Sequence, residues 1–460
     1  MKINREIFRK YDIRGIVSKD MDNKFARHLG RAFATYIAKK GASLKTVSVG
    51  YDARETSPVF AEELIKGLNE SGVNTVGIGL VPTGLLYFTL FTSEVDGGIQ
   101  VTASHNPSEY NGFKINYGDL PVYGDDIQLI GDIMEKEDYH LSDMPGTHIE
   151  RNVIPQFEDF VFENINIKDA QKLKVVIDSG NGTGGFVAVP ILKKMGIDVT
   201  SIFEEPDGNF PNHHPDPTVE ANLQDLISEV RKKSADIGIG YDGDADRIGV
   251  VDKRGNIIWG DSILTLFARD LLKKHKGVTV IGDVKCSKTF VDDVRKHGGN
   301  PVLYKAGHSL IKAYMKETGA LLGGEMSGHI FIKDRFFGYD CSIYVTLRLL
   351  EIVSREKNRD ISALLSDIPE TFASPEIRTE IPEKKKVPVV EKLVNYFKNN
   401  GYDVNDIDGA RITFDDGWAL MRASNTQNVI VFRFEADTKS RLEEIRSLVE
   451  KKFEEFLEEV

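Results

Sequence analysis

The stretch I-G-I-G-Y-D-G-D-A-D-R-I-G-V-V, residues 237–251, sets three aspartates and an arginine between two apolar runs. Ile237 and Ile239 before the charged segment, and Ile248, Val250 and Val251 after it, read as buried strands, so Tyr241 to Arg247 is a loop at a strand end. Asp242, Asp244 and Asp246 occupy alternate positions. In a tight loop they converge on one point, and three converging carboxylates need a cation to relieve their repulsion. A solvated acidic turn is the competing reading of any D-x-D-x-D segment, and β-like flanks in place of helices weigh against a calcium loop of the EF-hand kind. An EF-hand would carry Gly at the sixth position and Glu at the twelfth, where this chain has Arg247 and Lys253. All-oxygen donors in so small a set suit Mg²⁺, which keeps open positions for water or a phosphate oxygen. Arg247 beside it can grip the same phosphate in a bidentate fork.

Apolar runs alternating with helical periodicity extend outward from this loop in both directions. Upstream, Phe25, Leu29, Phe33 and Ile37 have helical spacing in a segment ended by Gly41, and Val47–Val49 reads as a strand. A helix opening at Pro58 and a strand over 73–79 follow. Such alternation predicts largely parallel sheets with loops gathered at the carboxyl ends of the strands. Over 460 residues it predicts about three or four domains. We place them at 1–148, 149–252, 253–367 and 368–460. The last is smaller and α+β, entered through a linker read at D-I-P-E-T-F-A-S-P-E, 367–376, with I-P-E-K-K-K soon after.

The net charge of −12 argues against nucleic acid and anionic membranes as partners. It leaves an anionic small molecule open, because surface charges are screened beyond about 8 Å whereas a contacting pair is worth up to about 4 kcal/mol before desolvation. No apolar run approaches the roughly 18 residues of a membrane span, and M-K-I-N-R-E-I-F-R-K has no signal-peptide core, which predicts a cytoplasmic protein. Cys286 and Cys341 are too few for a disulfide framework and lack zinc spacing, so packing is their expected role.

Other loops carry polar residues of interest. The first, F-R-K-Y-D-I-R-G, is read as a loop holding Tyr11 and Arg14. T-A-S-H-N-P, 102–107, sets Ser104 beside His105. Adjacency suits a serine-protease pair poorly, so a reactive Ser104 would more naturally carry a phosphoryl group; a plain turn is the alternative. Lys114 opens a short strand just after. D-S-G-N-G-T-G-G, 178–185, reads either as a phosphate cradle or as close strand–helix packing. His213 and His214 fall in a proline-rich loop read as structural. Lys285 follows another strand, and His308 starts a helix whose backbone N–H groups favour anions. Glu325, Ser327 and His329 alternate, so in extended backbone they would share one pocket wall. Arg422, Ser424, Asn425 and Thr426 form either a hairpin turn or a phosphate nest.

Four segments in order, T-A-S-H-N-P, D-G-D-A-D-R, G-E-M-S-G-H and R-A-S-N-T, with Y-D-I-R-G and K-A-G-H-S-L-I-K besides, closely resemble the α-D-phosphohexomutase superfamily, and within it the bacterial phosphomannomutase/phosphoglucomutase branch. The resemblance implies three related α/β domains with mixed sheets and a C-terminal α+β domain around a central cleft. It implies interconversion of hexose 1-phosphate and 6-phosphate through a hexose 1,6-bisphosphate. Ser104 resembles the phosphoserine, with Ser104, Asp242, Asp244 and Asp246 at one Mg²⁺. Glu325 and Ser327 resemble sugar contacts, and Arg422, Ser424, Asn425 and Thr426 the site of the non-reacting phosphate. Arg14, Lys114, Arg247, Lys285, His308 and His329 match positions near the reacting phosphoryl group or sugar, with Tyr11 and His105 beside the substrate. The expected partner is a sugar phosphate, and the expected state is a monomer or weak oligomer. Lys114, His308 and His329 are the candidates for moving the hydroxyl proton, with Lys114 or His329 favoured; a lysine base would need a lowered pKa. A glucosamine-phosphate mutase, a metal-dependent phosphatase and a non-catalytic binding protein are the alternatives.

Overall fold

A computed structural model of the chain describes residues 1–424 and 428–460. Each of the first three units is built on a mixed sheet. The first has the order Ile13–Ile16, Tyr110–Tyr117, Gly97–Val101, Thr46–Tyr51, Asn74–Leu80, His148–Glu150, with Leu120–Pro121 added beside Tyr110–Tyr117. The second runs Ile257–Ile258, Ile248–Asp252, Ile237–Tyr241, Lys174–Asp178, Asp198–Ile202, and the third Asn300–Tyr304, Thr279–Asp283, Leu322–Gly324, Ile330–Ile332. The fourth unit is an antiparallel six-stranded sheet flanked by the helices Glu383–Asn399 and Lys439–Glu459. The anticipated fold class, three α/β units and an α+β unit, is the one observed.

One topological device recurs in the three mixed sheets and positions the site. A strand paired in parallel on one side hydrogen-bonds antiparallel to the strand that follows it on the other: Gly97–Val101 with Tyr110–Tyr117, Ile237–Tyr241 with Ile248–Asp252, and Leu322–Gly324 with Ile330–Ile332. The connection within each pair lies at the carboxyl end of a parallel strand, where ligands of α/β sheets bind. Those connections contain Ser104, the three aspartates, and Glu325 to His329, respectively.

Local chemistry accounts for the elements. The helix Asn23–Lys39 starts where Asp22 Oδ1 accepts from Phe25 N at 2.8 Å, buries Phe25, Leu29, Phe33 and Ile37, and ends ahead of Gly41 at φ +70°. Strands Ile237–Tyr241 and Ile248–Asp252 are buried at every residue, as the apolar runs require. One core joins the first three units. Phe88, on the helix Thr83–Thr92, meets Phe157 edge-on at 5.3 Å and Phe160 at 5.5 Å, both on the helix Ile154–Asn164. Phe88→Ala should therefore cost about 3–5 kcal/mol, seen as a lower denaturant midpoint. The third and fourth units meet at Val284, Trp418 and Leu420, with the Arg411 guanidinium 3.8 Å from the Trp418 ring centroid.

Three details differ from the sequence reading. Arg14 and Gly15 lie on the strand Ile13–Ile16, paired with Gly112 and Asn111, because the backbone of this short segment completes the edge of the first sheet. Lys114 sits within an eight-residue strand rather than at the start of a short one. The segment I-P-E-K-K-K is no linker: the helix Glu383–Asn399 begins inside it after Pro382, a residue tolerated there because the first N–H groups of a helix have no intrahelical partner. Buried Lys386 repays that placement by donating to the Ser424 carbonyl at 2.9 Å. No helix among the described residues is long and apolar enough to cross a membrane.

Candidate active site

Ser104 is buried in a left-handed conformation, φ +50°, with its N–H donating to Thr102 Oγ1 at 2.8 Å. That backbone turns Oγ toward Asp242, whose Oδ2 accepts its proton at 2.7 Å. His105 Nδ1 lies 3.0 Å from the same Oγ. Since the serine proton goes to Asp242, His105 donates. Burial, with Arg247 and Arg14 nearby, holds His105 well below the usual histidine value, so it is a neutral donor and not a base for the serine. The adjacency judged unfavourable from sequence is thus a contact, made possible by the left-handed serine, but with a different chemistry.

The three aspartates are fully buried and offer oxygens within 4.8 Å of one another. The Asp242 Oδ1 atom accepts from the backbone N–H of Asp246 and of Arg247, each at 3.0 Å. Lys114 Nζ donates to Asp244 Oδ2 at 2.6 Å and to Asp246 Oδ2 at 2.5 Å. Thr83 Oγ1 donates to Asp244 Oδ2 at 2.6 Å. Burial, and then the charges of Asp246 and Asp244, push Asp242 well above the ordinary carboxylate range. Asp244 Oδ1 and Asp246 Oδ1 have no hydrogen-bond partner among the described residues. Three carboxylates facing one ammonium leave negative charge uncompensated and oxygens unsatisfied, a donor set that fits a hard divalent cation such as Mg²⁺.

Lys114 carries its proton here. Burial lowers its pKa, and Asp244 and Asp246 more than reverse this, leaving it well above the usual lysine value. The lowered pKa a lysine base requires is not met in this arrangement.

His329 lies across from the aspartates. Arg247 Nε donates to its Nε2 at 3.0 Å, which leaves the ring proton on Nδ1, 2.9 Å from Asp340 Oδ2. Asp340 also holds Lys312 Nζ at 2.9 Å and faces His308 Nδ1 at 3.8 Å. Burial works against this carboxylate, yet Lys312, His329 and His308 keep it well below its ordinary range. His308 and His329 stack with ring centroids 5.3 Å apart. Arg14 reaches the serine loop through Asn106 Oδ1 at 2.6 Å and pairs with Asp12.

A second group gathers around the third and fourth units. Glu325 Oε1 accepts from Gly307 N at 2.6 Å, and Tyr11 OH donates to the Ala306 carbonyl at 2.8 Å, with its ring edge-on to His308. Asp408 accepts from Ala306 N at 3.1 Å and pairs with Arg422 at 3.1 Å. Burial raises Glu376, and Lys285, Arg378 and Arg422 outweigh it, Arg378 in direct contact at 2.9 Å. Ser424 follows the strand Gly417–Ala423 that carries Arg422, and its N–H donates to the Val429 carbonyl at 3.0 Å; Asn425 and Thr426 lie outside the described residues.

Profiles of the phosphoglucomutase/phosphomannomutase alpha/beta/alpha domains I, II and III match residues 5–141, 155–255 and 259–372, and that of the C-terminal domain matches residues 376–452. The chain belongs to the phosphoglucomutase/phosphomannomutase family. Family relatives include a phosphoglucomutase of Neisseria gonorrhoeae, 42% identical over 447 residues, covering 97% of this chain and 96% of that one. A phosphomannomutase/phosphoglucomutase of Pseudomonas aeruginosa is 41% identical over 442 residues, covering 96% and 94%. The crystal structure of a phosphoglucomutase/phosphomannomutase family protein from Burkholderia thailandensis superposes with a TM-score of 0.92 at 39% identity, covering 98% and 97%.

One expectation about this family member is corrected by geometry. Residues 325–329 are a tight turn closed by Gly328 N to Glu325 O at 3.0 Å and Glu325 N to His329 O at 2.8 Å, so the shared extended face argued for Glu325, Ser327 and His329 does not exist. Glu325 and His329 are buried, and Ser327 is half-buried between them in sequence. Of the two readings open for the glycine loop 178–185, close packing accounts for its glycines: a Cβ on Gly182 would fall 2.6 Å from the Gly243 carbonyl, and one on Gly184 would strike the Tyr241 ring. His213 is paired with Asp178, as a structural loop residue would be. Sequence reasoning missed Asp340, Lys312, Thr83 and Arg54. F-G-Y-D-C around Asp340 carries no motif, and a buried carboxylate announces itself only once its partners are assembled.

Proposed function

We propose that the chain is a phosphohexomutase that interconverts the 1- and 6-phosphates of glucose and mannose, using a phosphoryl group carried on Ser104. The observation that carries this reading is the Ser104 hydroxyl at 2.7 Å from Asp242, within a cage of Lys114, Asp244, Asp246 and Arg247. Phosphoryl transfer asks mainly for alignment and for positive charge around the moving group. When bound by Asp242, Asp244 and Asp246, one Mg²⁺ would supply such charge.

In this reading the bond from Ser104 Oγ to phosphorus breaks as the sugar hydroxyl bonds to phosphorus, giving a hexose 1,6-bisphosphate. Lys114, Arg14 and Arg247 neutralise the phosphoryl oxygens; the departing Oγ is held by a hydrogen bond from His105 Nδ1–H, which keeps its proton, and becomes the serine hydroxyl when the proton released from the sugar hydroxyl reaches it through solvent. His329 accepts the hydroxyl proton at Nε2, the lone pair exposed when Arg247 turns to the phosphate, with Asp340 fixing the ring through Nδ1. The bisphosphate turns around, and its other phosphate returns to Ser104. Lys285 and Arg422, with Ser424, Asn425 and Thr426, hold the remote phosphate, while Glu325 and Ser327 contact sugar hydroxyls and His308 and Tyr11 border them. Glucose and mannose differ only at C2, and a pocket that ignores that hydroxyl takes both. The reading includes a four-unit division near residues 148, 252 and 367, a cytoplasmic location and a monomer or weak oligomer.

Phosphorus NMR of glucose 1-phosphate, mannose 1-phosphate and glucosamine 1-phosphate with Mg²⁺ and a trace of glucose 1,6-bisphosphate tests the proposal. Conversion of the first two to 6-phosphates, stopped by EDTA, is expected. Release of inorganic phosphate would make the protein a phosphatase, and a preference for glucosamine would change the substrate. His329→Gln should lower kcat by about 10²- to 10⁴-fold with little change in KM, measured with glucose 1-phosphate; a loss within a few-fold would remove His329 from proton transfer.

A further inference from the structure

Arg54 is among the largest fully buried side chains of the molecule, 1% exposed, and no site motif includes it. Its guanidinium uses every donor. Nε pairs with Asp52 Oδ2 at 3.1 Å. The Nη1 atom donates to the carbonyls of Pro107 at 2.6 Å and Tyr110 at 3.0 Å, and Nη2 to those of Ser104 at 2.9 Å and Asn106 at 2.6 Å. Four carbonyls of one loop thus point inward at a single cation. Without it four acceptors would face one another with no donor between them, the Ser104 carbonyl in a buried place.

The cation is itself fixed. Asp52 receives hydrogen bonds from Ser57 Oγ at 2.6 Å and Thr102 Oγ1 at 2.8 Å, and the guanidinium lies 5.2 Å from the centroid of Phe210, which belongs to the second unit. On its other side the Ser104 carbonyl abuts Gly243, where a Cβ would stand 2.5 Å from that oxygen. The carbonyl of the reactive residue is therefore pinned between a guanidinium and the backbone of the aspartate loop. Ser104 has φ +50°, a conformation rare for a residue with a side chain and persistent only where its surroundings impose it.

We propose that Arg54 is a positioning residue for phosphoryl transfer, whose guanidinium gathers the carbonyls of the 104–110 loop, holds Ser104 left-handed and so aims its Oγ at Asp242. The proposal rests on the reading of Ser104 as phosphoryl carrier. Lysine cannot replace it, because a compact ammonium with three donors does not span four carbonyls laid out around a planar fork.

The test compares Arg54→Lys and Arg54→Ala with the parent in the full chain, by steady-state kinetics on glucose 1-phosphate and by thermal melting, with and without guanidinium chloride below its denaturing range. The expected result is a kcat lowered about 100-fold in both variants, as for a reacting group displaced by an ångström, with KM within about threefold because the remote phosphate and sugar contacts are untouched. Guanidinium should restore activity to Arg54→Ala, and methylammonium should not. Arg54→Lys, which keeps the charge beside Asp52, is decisive if Arg54→Ala does not fold. A kcat for Arg54→Lys within about threefold of the parent, a loss appearing in KM alone, or equal rescue by both cations would overturn the proposal. Full activity in Ser104→Ala would instead remove the reading beneath it, and is scored separately.

Discussion

Ser104→Ala is expected to lower kcat for the mutase reaction by at least about 10⁴-fold, with the KM for glucose 1-phosphate changed little. The reason is geometric. Among the described residues, Ser104 Oγ is the one hydroxyl seated both at 2.7 Å from Asp242 and at 3.0 Å from His105. Thr102 and Thr83, the neighbouring hydroxyls, are committed to Asp52 and Asp244 and cannot take over its position. The residues proposed to bind the remote phosphate, Lys285 and Arg422, lie on other units and are untouched by the change. Substrate should still bind, and only transfer should fail. Steady-state kinetics on the two proteins, with melting curves to show that both are folded, make the comparison.

The second large effect is expected at Lys114. Lys114→Met removes the ammonium that pairs with Asp244 at 2.6 Å and Asp246 at 2.5 Å, in a place where the lysine side chain is 4% exposed. Two buried carboxylates would then face each other and Asp242 without compensation. Breaking one side of such a pair costs about 3–5 kcal/mol, so the variant should melt well below the parent in EDTA. Added Mg²⁺ should recover part of that loss, since a ligand that binds only the folded state at 100 times its Kd contributes about 2.7 kcal/mol. Catalysis should not recover with it: kcat should remain lower by about 10²-fold or more, because one cation no longer faces the moving phosphoryl group. Melting in EDTA and in Mg²⁺, alongside kcat, separates the two roles. A variant as stable as the parent in EDTA would show that the aspartates do not depend on Lys114.

Much of this arrangement was legible in the chain. Ile237 to Val251 gave a loop between buried strands, and the observed strands Ile237–Tyr241 and Ile248–Asp252 flank it. Apolar periodicity marks elements whose faces are buried, so the helix Asn23–Lys39 was readable from Phe25, Leu29, Phe33 and Ile37, and its end from Gly41. What escaped depends on tertiary partners. Arg14 lies on a four-residue edge strand, too short for a periodic signal. The alternation of Glu325, Ser327 and His329 suggested an extended face, but Gly328 at φ +91° folds the segment into a turn. Asp340 and Arg54 carry no local signature, because their significance lies in what other segments bring to them. The glycines at 178–185 were ambiguous for the same reason: the chain shows that a Cβ is absent, and only the packed Tyr241 ring and Gly243 carbonyl show why.

The central claim is that Ser104 passes its phosphoryl group to the sugar. Protein labelled with radioactive phosphate by exchange with glucose 1,6-bisphosphate, freed of ligand, mixed with unlabelled glucose 1-phosphate and quenched within a turnover tests it directly, after peptide mapping has placed the label. The expected result is label on the Ser104 peptide that moves to glucose 1,6-bisphosphate as the peptide loses it. Label that stays on the protein, or that leaves as inorganic phosphate while sugar is present, would contradict the account.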